Sequence, residues 1–84
     1  MVRNYIIWLM QMKVYKIIEN NINYIILVSD INNIYYHLEI GGLLHREIGP
    51  ALIFGTGEKE YYLNNIWHSD INTNEEWLIK QIIE

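Results

Sequence analysis

Two short stretches carry residues suited to chemistry: His45-Arg46-Glu47 and His68-Ser69-Asp70. Each sets an imidazole two residues before a carboxylate. In an extended strand such residues point to the same side, so His45 would meet Glu47 and His68 would meet Asp70. A pair of this kind can ligate a transition metal, or move a proton as an acid–base couple. Two pairs on neighbouring units would give four ligands for a metal-assisted hydrolase or nuclease, although spacing alone does not bring the pairs together. The alternative is structural. The imidazole bonds a turn carbonyl through one ring nitrogen and the carboxylate through the other, which locks both tautomer and turn. Arg46 then faces the opposite side and pairs with an acidic residue across the strand.

Alignment on the turns favours the structural reading. IGGLLHRE (40–47) over LNNIWHSD (63–70) puts His45 on His68 and Glu47 on Asp70. The first turn, ENNINYII, puts Tyr24 in the same place. A ring that recurs at a fixed distance after a turn is expected to brace that turn. His45, Glu47, Gly49, Pro50, His68 and Asp70 are therefore read as a turn motif. No catalytic residue, metal ligand or cofactor is assigned. GTGEKE lacks the lysine-serine pair and helix of a phosphate loop. Ser29 and Ser69 are the only serines, and neither lies in a nucleophile elbow.

The elements that position these residues follow from the turns. Asn20-Asn21, Gly41-Gly42 and Asn64-Asn65 are pairs set between β-favouring apolar runs. Asparagine and glycine tolerate the positive φ that a type I′ hairpin turn needs at both central positions. From Asn20 to Gly41 is 21 residues and from Gly41 to Asn64 is 23, a near-repeat of about two strands per unit. The pairing expected is 13–19 with 22–28, 33–40 with 43–47 and 51–54 with 58–63, then a short strand at 66–69. Residues 30–33 form a wider turn, and Gly49-Pro50 breaks the ladder because proline has no N–H. Strands joined by tight turns run antiparallel, which makes a meander. Thr73 with Glu76 three residues later is a capping box, and apolar residues four apart follow it. The spacing predicts an amphipathic helix over 74–83. The fold class expected is mainly β (α+β), an antiparallel β-meander or repeat sheet with a short C-terminal helix.

Composition sets the outer limits. With 84 residues the chain is expected to form one domain, and its apolar content of 51% can supply one core. No cysteine is present, which excludes disulfides and thiolate chemistry. The net charge is −4 and the six basic residues are scattered, so nucleic acid is not the expected partner. The apolar run Tyr5–Met10 is too short for a signal core or a membrane span. Residues 1–11 are expected to be an added edge strand or a loosely held arm. A cytoplasmic setting fits.

Residues 41–70, GGLLHREIGPALIFGTGEKEYYLNNIWHSD, resemble the His-Arg-Glu-x-Gly-Pro-Ala repeats grouped with MORN-like variant repeats. These occur in proteins of phages, large DNA viruses and some AT-rich bacteria. Leu44, His45, Arg46, Glu47, Gly49, Pro50 and Ala51 match, as do Gly57, Lys59, Glu60, Tyr61, Tyr62 and Asn64. Ile48 replaces a usual acidic residue, and residues 1–40 share only the turn spacing. The resemblance implies an antiparallel repeat sheet with no established chemistry. It also suggests a specific role, a small phage- or virus-encoded inhibitor that blocks a host defence or regulatory protein (the manner of an anti-CRISPR), acting in the host cytoplasm.

The function expected is thus non-enzymatic binding of another protein. Trp67, Tyr35, Tyr61 and Arg46 are the candidate contact residues, since aromatic and arginine side chains dominate binding hot spots. An open sheet edge could also pair with a second copy. That would suit a homo-oligomer, or a virion or assembly component.

Overall fold

A computed structural model of the chain describes residues 12–83. The edge strand or arm expected at residues 1–11 lies outside them. Strands β1 (Lys13–Glu19), β2 (Ile22–Val28), β3 (Ile34–Leu38), β4 (Leu52–Ile53) and β5 (Lys59–Glu60) form one antiparallel sheet in chain order. Strands β6 (Tyr62–Leu63) and β7 (Ile66–Trp67) form a second, two-stranded sheet. Helix α1 (Asn74–Ile83) closes the described chain. The protein is mainly β, as its turn pattern predicts.

Two of the three turn pairs close two-residue hairpins. Asn20, Asn21, Asn64 and Asn65 have φ between 51° and 69°, and Gly41 and Gly42 have 87° and 70°. The central residues of the two asparagine turns are left-handed, which matches the twist of the flanking strands. The two-residue turn expected at Gly41-Gly42 does not form: residues 39–42 make a four-residue loop, closed by Leu38 N–H donating to Leu43 O at 2.8 Å and Gly42 N–H donating to Leu38 O at 3.1 Å. The β1–β2 hairpin then pairs all seven residues on each side, Glu19 opposite Ile22 and Lys13 opposite Val28. The wider turn is tied by the Ser29 hydroxyl, which accepts the Asn33 N–H at 3.0 Å.

Three expected strands differ. Residues 43–47 do not form a strand; only Leu44 bridges to His37. The reason lies at Tyr36, whose carbonyl accepts the His45 N–H at 3.1 Å while its own N–H donates to Ala51 at 2.7 Å. The chain leaves the β3 edge after His45 and rejoins it at Ala51, and Gly49-Pro50 supplies the return. The run 58–63 is split at Tyr61. Glu60 pairs with Leu52 in the large sheet, whereas Tyr62 pairs with Trp67 in the small one. The strand expected at 66–69 is only two residues long, because the chain turns toward the helix.

The register sorts the side chains onto two faces. Tyr24, Ile26 and Tyr36 share one face, over which the 46–50 loop folds. Val14, Ile18, Leu27, Tyr35 and His37 share the other. A separate cluster of Tyr61, Ile71 and Trp77, with Leu63 against it, sits under α1. The helix begins with the predicted cap. The Thr73 hydroxyl accepts the Glu76 N–H at 3.1 Å, and the Glu76 carboxylate accepts the Asn72 N–H at 3.3 Å.

Candidate functional site

The His45 ring is buried between units and accepts a hydrogen bond. Its Nδ1 takes the Asn64 N–H at 3.1 Å. Nδ1 therefore carries a lone pair, and the proton of the neutral ring sits on Nε2, facing Glu47 Oε2 at 3.5 Å. This corrects the expected direction, because no turn carbonyl is bonded by His45. Instead the imidazole braces the next turn. Leu44 reinforces it, donating its N–H to Asn65 Oδ1 at 2.7 Å and accepting the Asn65 N–H at 2.8 Å. The carbonyl bond expected of His45 is made by His37, whose Nδ1–H donates to Gly42 O at 2.9 Å.

Arg46 does not turn to the opposite side as expected: residues 43–47 form no strand, and both its guanidinium and the His45 ring lie over the face that carries Tyr24 and Tyr36. Its Nε and Nη2 donate to the two Glu19 oxygens at 2.9 and 3.0 Å. The guanidinium lies 3.9 Å from the centre of the Tyr36 ring, and Nη1 reaches Pro50 O. Burial opposes the Arg46 charge, but the Glu19 bonds and the charges of Glu19, Tyr36 and Tyr24 together outweigh it and hold its pKa above the ordinary value. Tyr24 lies beneath, with its phenol buried. Burial raises the Tyr24 pKa, and the nearby Glu47 N–H offsets this only partly. That amide and the phenol oxygen fall short of a well-formed hydrogen bond.

The second His-x-acid pair does not form. The His68 ring packs edge-on against Trp77, 4.9 Å between centres. Asp70 is drawn instead to Lys80 on α1, at 3.0 and 3.1 Å. The Lys80 bond holds the Asp70 carboxyl below its usual range. The chain turns after β7, so residues 68 and 70 no longer lie on one strand. Among the described residues, no three histidine or carboxylate side chains are grouped to hold a metal ion.

The candidate contact residues separate by burial. Tyr61 is 2% exposed and donates its O–H to Asn74 Oδ1 at 2.8 Å, so it belongs to the core under α1. Arg46 is occupied by Glu19 and is a scaffold group. Trp67 is 55% exposed, and Tyr35 is half-buried on the open sheet face. Trp77, not Trp67, fills the core: it is 0% exposed, and its indole N–H donates to Arg46 O at 2.8 Å.

Tyr35 lines a cleft of about 590 Å³ that the sequence reading did not assemble. Leu27, His37, Leu44, Ile31 and Met12 line it too, with Asp30 at the rim and no lysine or arginine among the described lining residues. Val14 and Ile18 continue the same face and are 60% and 74% exposed. A signal was present: Leu27 and Tyr35 are opposite each other once the turn lengths set the register. Leu44 enters only because the chain after Gly42 bridges to His37, which no local pattern encodes.

Comparison of the chain with protein-family models, curated proteins and solved structures finds no match. Among the described residues, no helix is long and apolar enough to cross a membrane.

Proposed function

We propose that this chain is a non-enzymatic binding module whose contact surface is the open face of its large sheet. The supporting observation is the cleft between Leu27, Tyr35, His37 and Leu44, which exposed Val14 extends; the Lys16–Glu39 pair separates it from exposed Ile18 on the same face. Contiguous apolar surface rimmed by polar groups favours a protein partner. Nucleic acid is disfavoured, since phosphates need concentrated cations and the described lining offers none. Tyr35 is the central anchor, an aromatic ring with a polar tip. His37 beside it is held by Gly42 and stacks on Tyr35, 6.4 Å between centres. Trp67 is a second exposed ring on the small sheet. The phage- or virus-encoded inhibitor implied by the resemblance is one specific case of this reading.

The test compares capture from host lysate by three proteins: wild type, Tyr35→Ala and Ile40→Asp. Ile40 is exposed at a turn and does not line the cleft. A partner held at micromolar concentration by wild type and Ile40→Asp, but lost from folded Tyr35→Ala, supports the reading. Equal retention by all three, or no retained partner, overturns it.

A further inference from the structure

Strand β1 is the outer strand of the large sheet, and among the described residues no strand pairs with its outer edge. The hairpin register says which backbone groups face outward. A two-residue turn closes on a hydrogen-bonded pair, here Glu19 with Ile22. Antiparallel ladders alternate bonded and non-bonded pairs. Residues 17, 15 and 13 therefore bond to β2, whereas Val14, Lys16 and Ile18 turn their N–H and C=O groups away from it. Such an edge is a template for another strand.

The strand KVYKIIE is complementary to its own reverse. Centred on Lys16, antiparallel self-pairing sets Lys13 opposite Glu19, Val14 opposite Ile18 and Tyr15 opposite Ile17. Opposite charges meet at both ends, and apolar residues meet between. This register also pairs all three outward residues, giving about six interchain backbone hydrogen bonds. Shifting by two residues keeps the faces matched but loses the end charges; shifting by one sets the two faces of the copies against each other.

Lysines on an edge ordinarily discourage pairing. Here Lys16, which meets its own copy, already faces Glu39 at 3.4 Å within its chain. Glu19 accepts two bonds from Arg46, and a carboxylate offers about four acceptor sites, so open positions remain for the Lys13 of a second copy.

We infer that two copies of this chain pair antiparallel through β1 about a two-fold axis at Lys16, joining their large sheets into one. The occupant of this edge is a second copy, not a foreign strand. Pairing uses the edge rather than the cleft, so it stands or falls separately from partner capture. The two open faces would become one continuous surface, with Lys16 of both copies at its centre and Val14 and Ile18 flanking it.

Sedimentation of the full chain across micromolar concentrations gives the first reading, and a dimer is expected. The chain has no cysteine, so engineered thiols report the register without background. Lys16→Cys, at a side chain 73% exposed, should cross-link to its own copy under oxidation. The Cα atoms of such a bonded pair are about 5.5 Å apart, within disulfide range. Val14→Cys should not cross-link to itself, because its copy lies roughly 13 Å along the strand. Mixed with Ile18→Cys, it should. A strict monomer overturns the inference, as does a dimer in which Lys16→Cys stays unlinked. Self-linking by Val14→Cys would show parallel pairing or an antiparallel register centred on Val14, and either overturns it.

Discussion

His45 holds two units together through one nitrogen. Replacing it with alanine removes the acceptor of the part-buried Asn64 N–H and a buried ring packed on Tyr24. A lost hydrogen bond of this kind costs about 0.5–1.5 kcal/mol. His45→Ala should lower stability by at least that amount in urea titration, and should leave Arg46 and Glu19 paired. Arg46→Met has a larger effect. It removes the cation and strands the Glu19 carboxylate, whose side chain is only 16% exposed. Breaking a buried ion pair costs roughly 3 kcal/mol. The same method should therefore rank Arg46→Met below His45→Ala. At this scale the sequence was legible in part. The match of Glu47 to His45 was legible, whereas the opposite facing expected of Arg46 was not found, because residues 43–47 are no strand. The direction of the His45 bond was not legible, because a ring nitrogen can donate or accept. The Asn64 amide that decides it comes from 19 residues away.

Helix α1 is held by its cap, by Trp77 and Lys80, by Asn74, which accepts from Tyr61, and by Gln81, whose amide N–H donates to Glu47 O at 2.6 Å. The Thr73 hydroxyl satisfies a free N–H of the first turn, and losing such a cap costs about 1 kcal/mol. Thr73→Ala should lower the urea midpoint accordingly, and Thr73→Ser should restore it. Lys80 ties the helix to Asp70, whose pKa is depressed in the folded chain. A depressed carboxyl adds stability above its unfolded pKa, and that stability is lost as pH falls through the folded value. Asp70→Asn should therefore track wild type more closely in strong acid than at neutral pH, and a gap that stays constant with pH would contradict this. The helix itself was legible because its cap and its four-residue spacing are local. The break at Tyr61 was not. That residue is pulled into the core by Trp77, 5.4 Å between ring centres, and the pull ends one sheet and begins another. Gly55 is a similar case. A side chain there would collide with the Ile31 carbonyl oxygen, a contact set by the fit of two turns rather than by either turn alone.

Across the whole molecule, the order of strands was readable in part, because left-handed φ is a property of two adjacent residues. Asn20-Asn21 and Asn64-Asn65 each fix one hairpin in this way, whereas β3 pairs with β4 in place of the expected 43–47, after an excursion of the chain that no turn pair encodes. The open cleft was not readable, since it depends on which face the 46–50 loop covers. That choice is made by Arg46 reaching Glu19, 27 residues earlier.

The stitch from Leu44 and His45 to Asn64 and Asn65 runs from the second bend to the third. Growth of the chain thus has a built-in direction. Duplicating residues 41–63 directly before Asn64 would hand the new histidine the old bend, while Trp77 still seals the far end. In repeat architectures stability is roughly a sum of unit and neighbour terms. The lengthened chain should therefore melt higher and expose more surface on unfolding, seen as a steeper urea transition; a lower melting point would mean that the bends cannot be stacked in series.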